Sequence, residues 1–479
     1  MTACVLNTPD TYCRQTVFPK TDLPDPLGQD LNCDGVDGDA SQALFVRPAT
    51  GNPANDGSPS APLDSLDTAI SKLPASGKKY IYLTASGSYL RSAAIVLGDG
   101  QGIFGGFDET FSRAGGTSTL QRKGPGTGDH LVAIDGTDLV NPTYLMNLSV
   151  EMDRPSAPAL HAVGLRCMHC PGLRLTNTSI AASQGADGAK GTDGASYNLG
   201  AVCATQPRGG AAGAGNPCAP TAGRPGWDAG VSGGPTGWRM GGAGGPAGTS
   251  SSPAGKPGSN GTSCSTVLQG GAGGKKGTRV DATAELRWVL GPLAGSGSGG
   301  CDGSGGGGGG GSYFCTLPGY AGAAGGAGGC GGGQGGAGSP GGTSIGMLVW
   351  NSSGMVLDTV TVQGGGGGSG GAGGSGGAAG GGGTPTAPSI NGGAGGIGGN
   401  GAGGGGGGGG AGGSSFAIVR DSGTTFNATK LTESSGSAAG GGGAGKGNAG
   451  GTTAGVAAGG NGADGQAGED GEAKQDLVL

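Results

Sequence analysis

The residues best suited to chemistry stand near the start of the chain, in Asp30-Leu-Asn32-Cys-Asp34-Gly35-Val-Asp37-Gly-Asp39. This is the first half of a calcium loop: side-chain oxygens at alternate positions turn inward, and the glycine permits the sharp bend. The bidentate Glu expected at the twelfth position is missing, and Ser41 stands there instead. Asp37 or Asp39 is expected to substitute for it. The reading is therefore Ca2+ held by Asp30, Asn32, Asp34, Asp37 and Asp39, against a solvated acidic turn tied down by Cys33.

Other chemistry-bearing patterns are weaker. Cys167-Met-His-Cys170 lacks the second pair that a zinc site needs, and Pro171 stands where a haem site would want His. A local disulfide at a turn is expected. His130, His161 and His169 are the only histidines, and no Ser/His/Asp setting surrounds them. Acidic groups at Asp99, Asp108 and Glu109, at Asp135 and Asp138, and at Glu151 and Asp153 could serve a lyase or glycosidase. Solvated turns between strands account for them as well, and no Asp pattern repeats along the chain. Gly274-Lys275-Lys276-Gly277-Thr278 breaks the order a phosphate-binding loop requires. No catalytic residue is assigned.

The elements that must position these residues belong to an unusual chain. Of 479 residues 126 are glycine, with 20 aromatics, and glycine comes in solid runs such as Gly305–Gly311 and Gly403–Gly410. That argues against an ordinary multidomain enzyme, against charge-rich disorder and against collagen's strict three-residue repeat. Net charge is −6 without a Lys/Arg stripe, so nucleic-acid binding is not expected. No stretch is apolar for long enough to span a membrane as a helix.

Eleven cysteines without a metal-ligand pattern read as staples in an oxidising compartment. The opening Met1-Thr2-Ala3-Cys4 resembles the end of a bacterial lipoprotein cleavage box. A lipid anchor at Cys4 would leave ten thiols for five bridges. The other reading pairs Cys4 with Cys13 or Cys33 and leaves another thiol free.

Along the chain, a Cys-containing head (1–43) precedes β coils (44–180) and a Gly-rich, Cys-containing insert (181–343). Coils at 344–363 and 414–435 flank a second insert (364–413), and a Gly-rich tail (436–479) follows. Four segments repeat: Leu145–Val150, Leu175–Ile180, Leu357–Val362 and Phe426–Leu431. An apolar anchor precedes each, at Ile134, Leu165, Met347 and Phe416, by 11, 10, 10 and 10 residues. Period-2 alternation within them says strand. Such units bury an apolar face only by stacking, which predicts an all-β solenoid extruding glycine-rich inserts from one edge.

Ala43-Leu-Phe-Val46, Gly51-Asn-Pro-Ala-Asn-Asp-Gly57, Leu66-Asp-Thr-Ala-Ile70, Tyr80-Ile-Tyr-Leu83 and Gly102-Ile-Phe-Gly-Gly-Phe-Asp108 carry a resemblance. Residues 43–180 resemble a right-handed parallel β-helix family of bacterial surface proteins. Glycine-rich versions occur in myxobacteria-like, Gram-negative secreted or lipoprotein-type proteins. The resemblance implies a parallel β-helix and an extracellular or outer-surface location, and implies no activity.

The inserts have almost no side chains to bury, so only lateral backbone hydrogen bonds can offset the entropy of ordering them. Extended helices with three residues per turn, packed side by side as a polyglycine II-type bundle, provide that geometry. The triplet runs Gly185–Gly194 and Gly462–Gly471 suit it, and six cysteines in the long insert favour order. The expected function is a non-enzymatic adhesive or fibre-building surface module that self-associates or contacts cell-surface polysaccharide. The alternative is a polysaccharide-active β-helix lyase or hydrolase. Ice or crystal binding ranks last, because only Thr176-Asn-Thr178 and Thr359-Val-Thr361 offer a Thr-x-Thr array.

Overall fold

The computed structural model describes residues 22–25, 28–113, 115–124, 126, 128–197, 210–214, 220–224, 242–283, 285–313 and 320–479. The lipid reading of Cys4, and Cys13, Cys203, Cys218 and Cys315, lie outside them.

The first half of the fold runs β1 (Ala43–Val46), α1 (Leu66–Ser76), β2 (Tyr80–Thr84), β3 (Ser88–Arg91), β4 (Ile95–Leu97), β5 (Gly102–Phe107) and β6 (Ser118–Arg122). Then come β7 (His130–Thr137), β8 (Thr143–Met146), β9 (Leu148–Met152), β10 (His161–Met168) and β11 (Leu173–Ala181). The remainder is β12 (Arg279–Asp281), β13 (Arg287–Val289), β14 (Ser344–Trp350), β15 (Met355–Gln363), β16 (Ser415–Arg420), β17 (Phe426–Ala428), β18 (Leu431–Ser434) and β19 (Ala473–Val478). Ser65 starts α1 by accepting the Thr68 N–H, and Gly77 stops it with left-handed backbone (φ 71). The helix buries Leu66, Ala69 and Leu73 in the main apolar core.

The expected right-handed parallel β-helix is corrected by the sheet order. The larger sheet is a curled parallel half-barrel of eight strands, β1-β2-β5-β8-β11-β9-β6-β3, with β15, β17 and β18 added beyond β11, rather than a solenoid. The reason lies in residues read from sequence as mere polar spacers. Asn147 (φ 52) and Asn177 (φ 44) adopt left-handed backbone, as does Gly106 (φ 82). The Asn177 amide donates to Asn147 Oδ1 at 2.7 Å, so the bends sit side by side. The bend at Asn177 lies within β11, whereas Asn147 separates β8 from β9. β11 pairs β8 through its first half and β9 through its second, and the sheet curls on itself. A second parallel sheet has the order β19-β16-β14-β10-β7-β4.

The core is made of side-chain rows along the parallel registers. Ile103, Leu145, Leu175 and Leu357 form one row. Ile134, Leu165, Met347 and Ile418 form another. The fourth anchor is thus Ile418, not Phe416. Phe416 pairs with Ile345 and packs on Trp288, with ring centroids 5.2 Å apart, in a separate apolar cluster. That cluster forms because Leu286 and Trp288, from the hairpin β12–β13, are pressed against the smaller sheet.

The glycine-rich inserts form a hydrogen-bonded lattice of extended segments. The run Gly403–Gly410 donates its N–H groups to three segments, at 460–466, 371–377 and 295–298. It accepts from three others, at 335–338, 271–274 and 442–448. Within each partner the bonds recur at every third residue. Gly305–Gly311 is surrounded in the same way, donating to 221–224, 256–259 and 323–326 and accepting from 210–213, 242–248 and 393–396. In both runs each interior glycine faces a carbonyl that a Cβ would strike: Gly404, Gly407 and Gly410 face Gly333, Gly336 and Ser339, while Gly405 and Gly408 face Gln269 and Ala272.

At the rim one glycine in three suffices. Gly185, Gly188, Gly191 and Gly194 point inward, and the residues between them are free to be Ala, Asp, Lys or Thr. The number of packed faces therefore sets the glycine spacing. A disulfide between Cys264 and Cys301 joins two lattice segments that both bond to the 400–402 stretch.

Candidate functional site

The aspartate loop splits. Asp30 accepts the N–H groups of Asp34 (3.2 Å) and Gly35 (2.9 Å), and Asn32 accepts that of Asp34 (2.9 Å). Asp34 accepts from Val36 and Ala40, and Asp39 accepts from Ser41. Asp37 leaves the loop altogether. It is buried against Arg113 at 2.8 Å and accepts the Asp25 N–H, which fastens the head to the larger sheet. Burial holds its carboxyl up at about 6, with Arg113 pulling the other way. The five expected ligands therefore do not converge. Among the described residues no group of three or more His, Cys, Asp or Glu side chains is arranged to hold a metal ion. Cys33 is disulfide-bonded.

Cys167 and Cys170 form a disulfide at the end of β10. The neighbouring His169 pairs with Asp138 at 2.8 Å on the surface.

The densest cluster of charges lies where the hairpin β12–β13 covers the smaller sheet, around a cleft of about 150 Å³. Parallel register sets Asp135 of β7 beside Arg166 of β10, and the two meet in a bidentate pair at 3.0 and 2.6 Å. Glu285 reaches the same guanidinium from the hairpin at 2.6 Å. Burial opposes the charge on Arg166, but its two carboxylate partners outweigh that and hold it firmly protonated. Arg122 and Arg287 line the same cleft.

His130 bridges Asp129 (2.5 Å from Nδ1) and the backbone N–H of Trp288 (3.2 Å to Nε2). An acceptor at Nε2 fixes the proton on Nδ1, and the bond to His130 holds the Asp129 carboxyl well below the usual range. His161 lies tilted against His130, with ring centroids 4.9 Å apart, and accepts the Thr343 N–H at Nδ1. Complete burial pushes its imidazole down to about 3.

This arrangement locks the hairpin down. Hydrolysis of a glycosidic bond needs two carboxyl groups flanking open space, one free to give a proton. Here Asp135 and Glu285 both grip Arg166, and Nε2 of His130 is occupied by backbone. Most of the remaining acidic groups are also engaged: Asp99 with Asn141, Asp108 with the 110–112 turn, Glu109 with Arg47, Asp138 with His169 and Asp153 with Lys123, while Glu151 is exposed. Sequence reasoning did not find this cluster, because Arg166 and Glu285 meet across more than 100 residues. The one local trace is that apolar residues interrupt the glycine of the insert over Ala282–Leu290.

A second site lies on the outer face of the larger sheet. One row runs Tyr144, Arg174, Val356, and the next runs Phe104, Met146, Thr176, Asp358. The head residues Leu23 and Pro24 border it, leaving a groove of about 260 Å³. Phe104 and Tyr144 lie face to face with centroids 5.8 Å apart. Among the described residues no helix is long and apolar enough to cross a membrane.

No protein-family model matches the chain, and neither a curated protein nor a solved structure matches it.

Proposed function

We propose that the protein is a non-enzymatic structural module of the bacterial exterior, secreted or held at the outer surface, which builds fibres or layers or adheres to surface polymers. The observation that carries this reading is the lattice. Two all-glycine runs, each bonded to segments on every side, make a block that offers stiffness and flat backbone faces and almost no reactive groups. Glycine loses more conformational freedom on ordering than any other residue, so a chain that orders this many uses the result mechanically. The engaged carboxylates of the polar cleft support the same reading. Flat small-residue faces and open strand edges suit self-association.

Electron microscopy of purified protein, paired with retention on cell-wall material, tests this. Filaments, sheets or retained protein are expected. A monomer that assembles with nothing and adheres to nothing contradicts it.

A further inference from the structure

We infer that the groove on the outer face of the larger sheet binds hexose rings of a neutral polysaccharide, with Tyr144 as stacking platform and Arg174, Thr176 and Asp358 as hydrogen-bonding rim. The inference rests on the reading of a surface module and names the polymer class it contacts.

Three observations carry it. The first is the division of the face. Its aromatic end, Tyr80, Tyr82 and Phe104, is packed against or bordered by the head, while Tyr144 at the margin stays half-buried with one ring face on Phe104 and lines the groove. Aromatic rings with a polar tip suit a ligand that has both a C–H face and hydroxyl groups. The second is unspent hydrogen-bonding capacity. Among the described residues the hydroxyls of Tyr144 and Thr176 make no hydrogen bond, and Arg174 uses only Nη1, donating to Pro171, Leu173 and Gly354 carbonyls. Asp358 meets only the neighbouring Thr359 hydroxyl at 3.3 Å.

The third is charge. Arg174 shares the groove with two carboxylates, Asp25 and Asp358, so the site disfavours an anionic polymer. It suits a neutral ligand whose hydroxyls both donate and accept. Adjacent strands place neighbours within a row, such as Thr176 and Asp358, about 4.8 Å apart, close to the length of one sugar unit in an extended glycan.

Affinity electrophoresis of the full chain tests this, in gels cast with a soluble β-1,4-glucan, a galactomannan, dextran or alginate. Retardation by at least one neutral polymer is expected. Asp358→Ala and Tyr144→Ala should each weaken it at least tenfold, and Tyr144→Phe should weaken it less because the ring remains. Asp358 is on the half-exposed rim, so its variant reports on binding even if Tyr144→Ala fails to fold. No retardation by any neutral polymer, retardation by alginate alone, or unchanged binding in Asp358→Ala would overturn the inference. Filament formation without glycan binding would sink this inference and leave the module reading standing.

Discussion

The curled sheets and the glycine lattice reach order by opposite routes. In the sheets, rows of large side chains such as Ile103, Leu145, Leu175 and Leu357 are taken out of water, and the backbone follows. In the lattice the backbone itself is the packed material, and any side chain facing inward is an obstacle. A sheet strand needs apolar residues at alternate positions. A lattice segment needs glycine at one position in three or at all three, according to how many of its faces are covered. The two regions are continuous: Gly413 and Ser414 lead directly into β16, and Gly364 continues β15. The lesson is that a very high glycine content can encode a close-packed body, provided the glycines are distributed by depth.

The comparison can be broken by substitution. The largest effect is expected in the sheets, where Leu175→Ala empties a fully buried site and should cost about 2–5 kcal/mol in chemical denaturation. Next is Gly407→Ala at a lattice centre, where the new methyl falls on the Gly336 carbonyl. Overpacking there should cost about 3 kcal/mol. Replacing Cys264 and Cys301 together by Ser opens a 37-residue loop and should cost roughly 2–4 kcal/mol. A cost near zero would mean that backbone hydrogen bonds alone fix those segments.

A smaller effect concerns the head. The Asp37 carboxyl is raised in the folded chain to about 6, so the folded state binds its proton more tightly than the unfolded state does. Its contribution to stability therefore grows as pH falls from 7 through 6 toward 4, and declines as pH rises. Melting temperatures of wild type and Asp37→Asn between pH 5 and 8 should differ in slope, and parallel curves would contradict the assignment. The smallest effect is expected at the lattice surface. Gly443 has open space where a Cβ would go, so Gly443→Ala should be neutral or stabilising by about 0.4–1 kcal/mol.

Much of this was legible in the sequence as spacing. The ten-residue step between paired rows is real, as Leu165 to Leu175 and Met347 to Leu357 show. In the last repeat the reading slipped by two residues, onto Phe416 and Phe426. Large aromatics look like core anchors, and period-2 alternation cannot distinguish the two faces when both are apolar. Register puts Ile418 in the core row and sets an exposed Ala428 beside Leu357, while Phe426 pairs with Met355 and packs against the main core. The curl was not legible because it depends on asparagines that look like ordinary strand spacers.

The candidate site was less legible still. Asp37 was expected beside Asp34, and its actual partner, Arg113, lies 76 residues away. The cleft needs the hairpin of the insert, and the groove needs registers that bring Tyr144, Arg174 and Asp358 together across an insert. No local pattern carries that information.

The central claim is that the glycine runs are ordered by hydrogen bonds on every side. Amide hydrogen exchange over 403–413 tests it most directly. The account predicts protection comparable to that of β10 and β14, with the triplet rim at 185–194 exchanging faster. Exchange of the 403–413 amides at the rate of an unstructured chain would contradict it.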